Sequence, residues 1–168
     1  MRADLEEKVY KLVFLDVGLM NAICGLGWST LSRFDEIQLV NEGAIAQQFI
    51  GQHLLGLLAA SPNRELTYWL REGRSANAGV DSVVALEGRV IPIEVKSGGR
   101  GSLRSLHQFV GEKHVPLAVR FDANPPSIQD VSAGIQTSDG LSEVNYRLLS
   151  LPLYLVEKLA DVVRELAS

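Results

Sequence analysis

Two acidic residues and a lysine stand close together mid-chain: Asp81 in "GVDSVVALEG", and Glu94 and Lys96 in "RVIPIEVKS". Both stretches are rich in β-branched and apolar residues, as strands are, and Glu87-Gly88 between them reads as a tight hairpin. Residues two apart on a strand share a face. Glu94 and Lys96 therefore point one way, and Ile93 and Val95 the other. Antiparallel pairing around the turn sets residues whose numbers sum to roughly 175 or 176 opposite one another, which puts Asp81 across from Glu94 or Val95. Two carboxylates that close repel, and each prefers to protonate. A divalent cation, Mg²⁺ or Mn²⁺, removes that conflict. Asp81, Glu94 and the main-chain carbonyl of Val95 are the candidate ligands, with waters and phosphate oxygens completing the shell. Lys96 beside such an ion could position or help deprotonate a water, or stabilise charge developing on a phosphate.

The elements that must position these residues follow from periodicity. Residues 8–15 form a short apolar segment leading to Asp16, a turn or helix-cap residue. "DVGLMNAICGLG" (16–27) predicts a short helix closed by Gly25 and Gly27. A second helix is expected from about Asn41 to Ala60, carrying Ile45, Phe49, Ile50, His53, Leu54, Leu57 and Leu58 at helical spacing. Three strands follow, at 65–72, 79–88 and 89–97. Pro92 lacks an amide donor, so it must sit at a sheet edge or in an unpaired register. Residues 102–112 predict a helix capped by Ser102, with Leu103, Leu106, Phe109 and Val110 as its buried stripe. A fourth strand is expected at 115–121, a long loop at 122–142, a short strand at 142–150, and a terminal helix at 151–166 with Pro152 in its first turn. That terminal helix carries an apolar face (Leu155, Leu159, Val162, Val163, Leu166) able to pack internally or in a homodimer.

The chain has 168 residues, of which 46% are apolar and 21% charged. That is an ordinary composition for a single domain able to bury roughly 70% of its unfolded surface. We divide it into a helical lead-in over about residues 1–40, a core over 41–123, and a loop, strand and helix over 124–168. The net charge of −4 argues against broad nucleic-acid binding by the whole surface and leaves room for a local basic face. Cys24 is the only cysteine, so an intrachain disulfide cannot form, and it is expected as a small buried residue. His53, His107 and His114 lie far apart in sequence, which disfavours zinc. The start "MRADLEEKVY" lacks the apolar core of a signal peptide and no apolar run approaches 18 residues, so a cytoplasmic location without membrane spans is expected.

Asp81 on one strand followed by Glu94-x-Lys96 on the next resembles the metal site of the PD-(D/E)XK nuclease superfamily, and the order α-β-β-β-α-β is that fold's core. "KLVFLDVGLMNAICG" (11–25), "NEGAIAQQFIGQHLL" (41–55), "YWLREG" (68–73), "VDSVV" (80–84) and "IPIEVKSG" (91–98) further resemble the DUF4143 family. That resemblance implies an α/β, restriction-endonuclease-like mixed sheet with flanking helices, and an AAA-type ATPase domain as partner in cis or in trans. The chain itself has no GxxxxGK[ST] phosphate loop. Two positions depart from the family pattern. Gln47 stands four residues after Gly43, where a glutamate is usual, and Ala78-Gly79-Val80-Asp81 replaces A-E-V-D. Gln47 can support the site through its amide but brings no charge.

Arg71, Arg74, Arg100 and Arg104 could contact phosphates around such a site, or belong to a solvated face. His53 reads as structural, Gln108 as a surface residue, and Trp28 and Trp69 as core or domain contacts. Two functional readings result. One is a metal-dependent nucleic-acid phosphodiesterase. The other is a catalytically weakened binding or assembly module of an ATPase.

Overall fold

The computed structural model describes residues 10–25, 27, 42–59, 65–71, 79–97, 102–137 and 140–166. It is a mixed α/β structure. Its helices are α1 (Val17–Ile23), α2 (Glu42–Ala59), α3 (Arg104–Lys113) and α4 (Leu159–Glu165), the last preceded by a 3₁₀ helix over Leu153–Lys158. Its strands are β1 (Thr67–Leu70), β2 (Gly79–Leu86), β3 (Arg89–Val95), β4 (Leu117–Asp122), β5 (Ser127–Thr137) and β6 (Gly140–Pro152). They form one six-stranded sheet in the order β1-β2-β3-β4-β6-β5. The run α2-β1-β2-β3-α3-β4 reproduces the expected order of elements.

The β2–β3 hairpin turns on Glu87 and Gly88, both with positive φ (49° and 73°). Consecutive left-handed residues match the twist of a two-residue hairpin, and Gly88 adopts that conformation without a Cβ penalty. The register pairs Ser82 with Ile93 and Leu86 with Arg89, so opposed residues sum to 175. Pro92 lies in the central strand β3 yet loses no ladder bond. It is a non-hydrogen-bonded partner toward β2, and the pairing with β4 begins one residue later, at Ile93–Val119. β3, β4 and β6 run parallel, which requires a crossover between β3 and β4, and α3 supplies it.

Each sheet face buries its own cluster. One face holds Val84, Ile91, Ile93, Val95, Val119, Phe121 and Leu149 under Ile50, Leu54 and Leu58 of α2 and Leu159 and Val163 of α4. The other holds Val83, Ala118, Tyr146 and Leu148 under Leu106, Phe109 and Val110 of α3, with Trp69 edge-on to Phe109 at 5.6 Å. The apolar face of the C-terminal segment therefore packs inside the chain.

Several expectations are corrected. Most of residues 122–142 is not loop. β5 and β6 form a long antiparallel hairpin from Ser127–Ser150 to Thr137–Gly140. The inward stripe of β5 is only Val131, Ala133 and Ile135, and the intervening Asp130, Ser132, Gly134 and Gln136 look like turn residues in sequence. The terminal helix is shorter than expected because β6 continues to Pro152, which ends the strand and caps the 3₁₀ helix. Leu103, not Ser102, is the N-cap of α3, although the Ser102 hydroxyl accepts from the Arg104 N–H at 3.3 Å. Cys24 is exposed, because it closes a one-sided, seven-residue helix that buries no residue of its own. Asp16 is the expected cap, accepting from the Leu19 N–H at 2.8 Å. Asn41 and Trp28 lie outside the described residues.

Gly111 marks the tightest contact between α3 and the β5–β6 hairpin. A Cβ there would collide with the Ile135 side chain and sit 2.8 Å from Val144 Cγ1. We expect Gly111→Ala to lower stability by roughly 1–3 kcal/mol through overpacking. Urea unfolding checks this, and an unchanged midpoint would show that the hairpin shifts freely.

Candidate metal centre

The site forms where β2 and β3 part. With the register at 175, the next hydrogen-bonded pair after Ser82–Ile93 would be Val80–Val95. Val80 pairs instead with Trp69 of β1. Between Thr67–Val83 and Trp69–Val80, β1 advances two residues and β2 three, so β2 carries an extra residue at 81–82. This bulge explains why Val80 and Val83 both lie in the same cluster despite their odd spacing. It also leaves the Val95 N–H without a main-chain acceptor, and the Asp81 carboxylate takes it at 2.9 Å through Oδ2. In a strand the N–H and C=O of a residue point to the same edge, so the Val95 carbonyl also faces β2. On the opposite edge, the Lys96 N–H donates to the Phe121 carbonyl of β4 at 2.8 Å.

Glu94 and Lys96 share the α3-side face, as their spacing requires. Glu94 is only 6% exposed. Its Oε1 accepts from Lys96 Nζ at 2.6 Å, and its Oε2 is buried with no hydrogen-bond partner among the described residues. Burial first, then the negative charge of Asp81, push the Glu94 carboxyl above its ordinary value; the Lys96 contact and Lys11 oppose this. Asp81, Glu94 and Lys96 thus meet at one corner of the sheet.

Among the described residues, no group of three or more His, Cys, Asp or Glu side chains converges. The available oxygens are those of Asp81 and Glu94 and the Val95 carbonyl. These are hard oxygens, the donor type that Mg²⁺ or Mn²⁺ takes alongside several waters, and among the described residues the buried Glu94 Oε2 lacks a hydrogen-bond partner.

The other nominated residues fall differently. Gln47 is half-buried on α2, the layer over Ile93 and Val95, which is the reverse of the face bearing Glu94. Its neighbour Gln48 carries the visible work: the Gln48 amide accepts from the Phe14 N–H at 2.9 Å and donates to the Phe14 carbonyl at 2.8 Å. Arg71 donates to the Gln136 carbonyl at 3.3 Å and lies 3.9 Å from Glu112, so it ties β1 to α3 and β5. Arg104 is exposed on the first turn of α3. Arg74 and Arg100 lie outside the described residues. Gln108 is buried rather than superficial, donating to Glu112 and to the Gln136 carbonyl. His53 pairs with Glu157 at 3.1 Å and so links α2 to the 3₁₀ helix.

Several residues near the site were given no role there by sequence reasoning. Lys11 Nζ donates to the Asp81 carbonyl at 3.0 Å and lies 3.6 Å from Asp81 Oδ1. Arg120, opposite Glu94 on β4, has its Nε 2.7 Å from Oδ2 of the buried Asp122. Arg120-x-Asp122 repeats the spacing of Glu94-x-Lys96 inside an equally apolar strand, and that repetition was visible in the sequence. Deeper on the same face, His107 contacts the Tyr146 hydroxyl at 2.9 Å. Burial lowers the imidazole and pushes the phenol up to about 12.

With this geometry in view, the comparisons with known proteins are narrow. A family model described as "Domain of unknown function (DUF4143)" matches residues 42–135, more than half of the chain. The chain belongs to the DUF4143 family. Neither a curated protein nor a solved structure matches it. The matched span of this DUF4143 domain contains Asp81, Glu94, Lys96 and Arg120, while Lys11 precedes it. No helix among the described residues is long and apolar enough to cross a membrane.

Because Glu94 is raised, the folded state holds its proton to higher pH than the unfolded chain does. Its contribution is favourable below the ordinary value of 4.5 and fades as pH rises through the folded value. Glu94→Gln should therefore unfold at higher urea than wild type at pH 8, with the advantage shrinking as pH falls toward 4.5. A difference between the two proteins that does not vary with pH would show that Lys96 fully offsets the burial of the charge.

Proposed function

We propose that this domain is a PD-(D/E)XK-type phosphodiesterase acting on nucleic acid, with Asp81 and Glu94 as the acidic pair and Lys96 as the basic residue. The observation that carries this reading is the buried Glu94 carboxylate, one oxygen bonded to Lys96 and the other without a partner among the described residues, beside Asp81 at the parted end of β2 and β3. A bound Mg²⁺ or Mn²⁺ would supply Lewis acidity and a more acidic water. The chain's own residues set up the rest. The Val95 N–H holds the Asp81 carboxylate by one oxygen. Lys96, a quarter exposed, bridges the buried Glu94 and the surface, where it can donate to a phosphate oxygen or orient a water. The bulge in β2 brings Asp81 into this corner.

A second reading rests on the charge pattern. Lys96 bonds Glu94, Glu94 pairs in register with Arg120 of β4, and Arg120 in turn pairs with Asp122. Opposite charges thus alternate across β3 and β4, and Gln47 adds none. On this second reading the corner is the stable remnant of a site, in a module that binds or assembles with an AAA-type ATPase domain in cis or in trans.

Calorimetric titration separates the two. Under the enzyme reading, Mn²⁺ binds the wild-type chain and Asp81→Ala weakens binding by at least about tenfold, a loss of roughly 1.4 kcal/mol or more. Metal-dependent nicking of plasmid DNA should then disappear in Lys96→Ala. No Mn²⁺ binding by the wild-type chain would leave the module reading standing.

A further inference from the structure

Residues 10–15 run as an irregular strap before α1. Two attachments hold it. The Gln48 amide, in a side chain only 6% exposed, grips the Phe14 backbone at both N–H and C=O. Val13 lies against Gly51 of α2, where a Cβ would come within 3.4 Å of its methyl group. From this anchor the strap carries Lys11 to Asp81. The Lys11 ammonium meets a main-chain carbonyl at 3.0 Å and a carboxylate oxygen at 3.6 Å, both hard oxygens of the kind a divalent cation seeks. With Lys96 on Glu94, the two carboxylates carry two ammonium partners in this state.

We propose that the strap is a cation-sensitive latch: Lys11 competes with a divalent ion for the oxygens of Asp81, so ion binding and strap release are coupled. This rests on the metal-site reading above. A doubly charged ion would face repulsion from a resident ammonium, and Lys11 must withdraw for the ion to take the Asp81 oxygens. Withdrawal is easy because Lys11 is partly exposed, belongs to no helix or strand, and forms an ion pair of a kind that contributes little in water. The strap also presents Tyr10, Leu12 and Leu15 to solvent, so among its described apolar residues only Val13 and Phe14 are half-buried. Occupancy of the ion would then be read out by the position of the chain's N-terminal segment.

The test compares wild type with Lys11→Met, which keeps most of the aliphatic stem, and Lys11→Arg, which keeps the charge. Mn²⁺ titration by calorimetry should give an apparent Kd roughly threefold to fivefold lower for Lys11→Met, with Lys11→Arg close to wild type. In wild type, hydrogen exchange at the Phe14 amide should accelerate on addition of Mn²⁺, while amides in β3 and β4 do not. Circular dichroism of each variant checks that it is folded. Equal Mn²⁺ affinity in wild type and Lys11→Met would overturn the latch and leave the metal site intact. Weaker binding by Lys11→Met would overturn it too, making Lys11 a supporting member of the site. Binding by neither protein would remove both the latch and the metal site.

Discussion

A main-chain donor cannot be left unsatisfied at the end of a buried strand, and in this domain the Val95 N–H is that donor. The extra residue in β2 removes the carbonyl that regular pairing would have offered, and the Asp81 carboxylate takes its place. One hydrogen bond thus closes the ladder and fixes a charge beside Glu94. The Glu94–Lys96 pair lies one residue either side of Val95 on the same strand, so the ladder's end and the polar corner are a single feature.

The corner is tolerated because its charges are matched. Burying a carboxylate as far as Glu94 is costly without a partner, and Lys96 supplies one. Arg120 and Asp122 provide a second matched pair on the adjacent strand, and Lys11 reaches over from outside the sheet. Among the described residues, three buried polar atoms here lack a hydrogen-bond partner: Glu94 Oε2, Arg120 Nε despite its ion pair with Asp122, and Ser150 Oγ beside Arg120. Of these, only the Glu94 oxygen belongs to a carboxylate, the donor type a hard divalent ion takes.

Much of the scaffold was legible in the sequence. Apolar periodicity located α2, the first four strands and α3, and Glu87-Gly88 set the hairpin register that brings Asp81 to the Glu94–Val95 end of β3. The β5–β6 hairpin was obscured because its edge strand faces the core with only three modest apolar residues and shows solvent a polar face resembling loop composition. Cys24 was misjudged because residue type reports average burial, whereas among the described residues α1 has no buried side chain.

By itself, the sequence determined which residues could meet, since the period of two in a strand and the length of a turn are local properties of the backbone. Glu94 and Lys96 had to share a face, and Asp81 had to fall nearby. Only the tertiary structure decided what each would touch. The bulge that turns Asp81 onto Val95, the strap that brings Lys11 across 70 residues of chain, and the register that sets Arg120 beside Glu94 depend on pairing between segments distant in sequence. Such pairing is settled by which contacts the whole sheet can satisfy together, and no short window of residues carries that information.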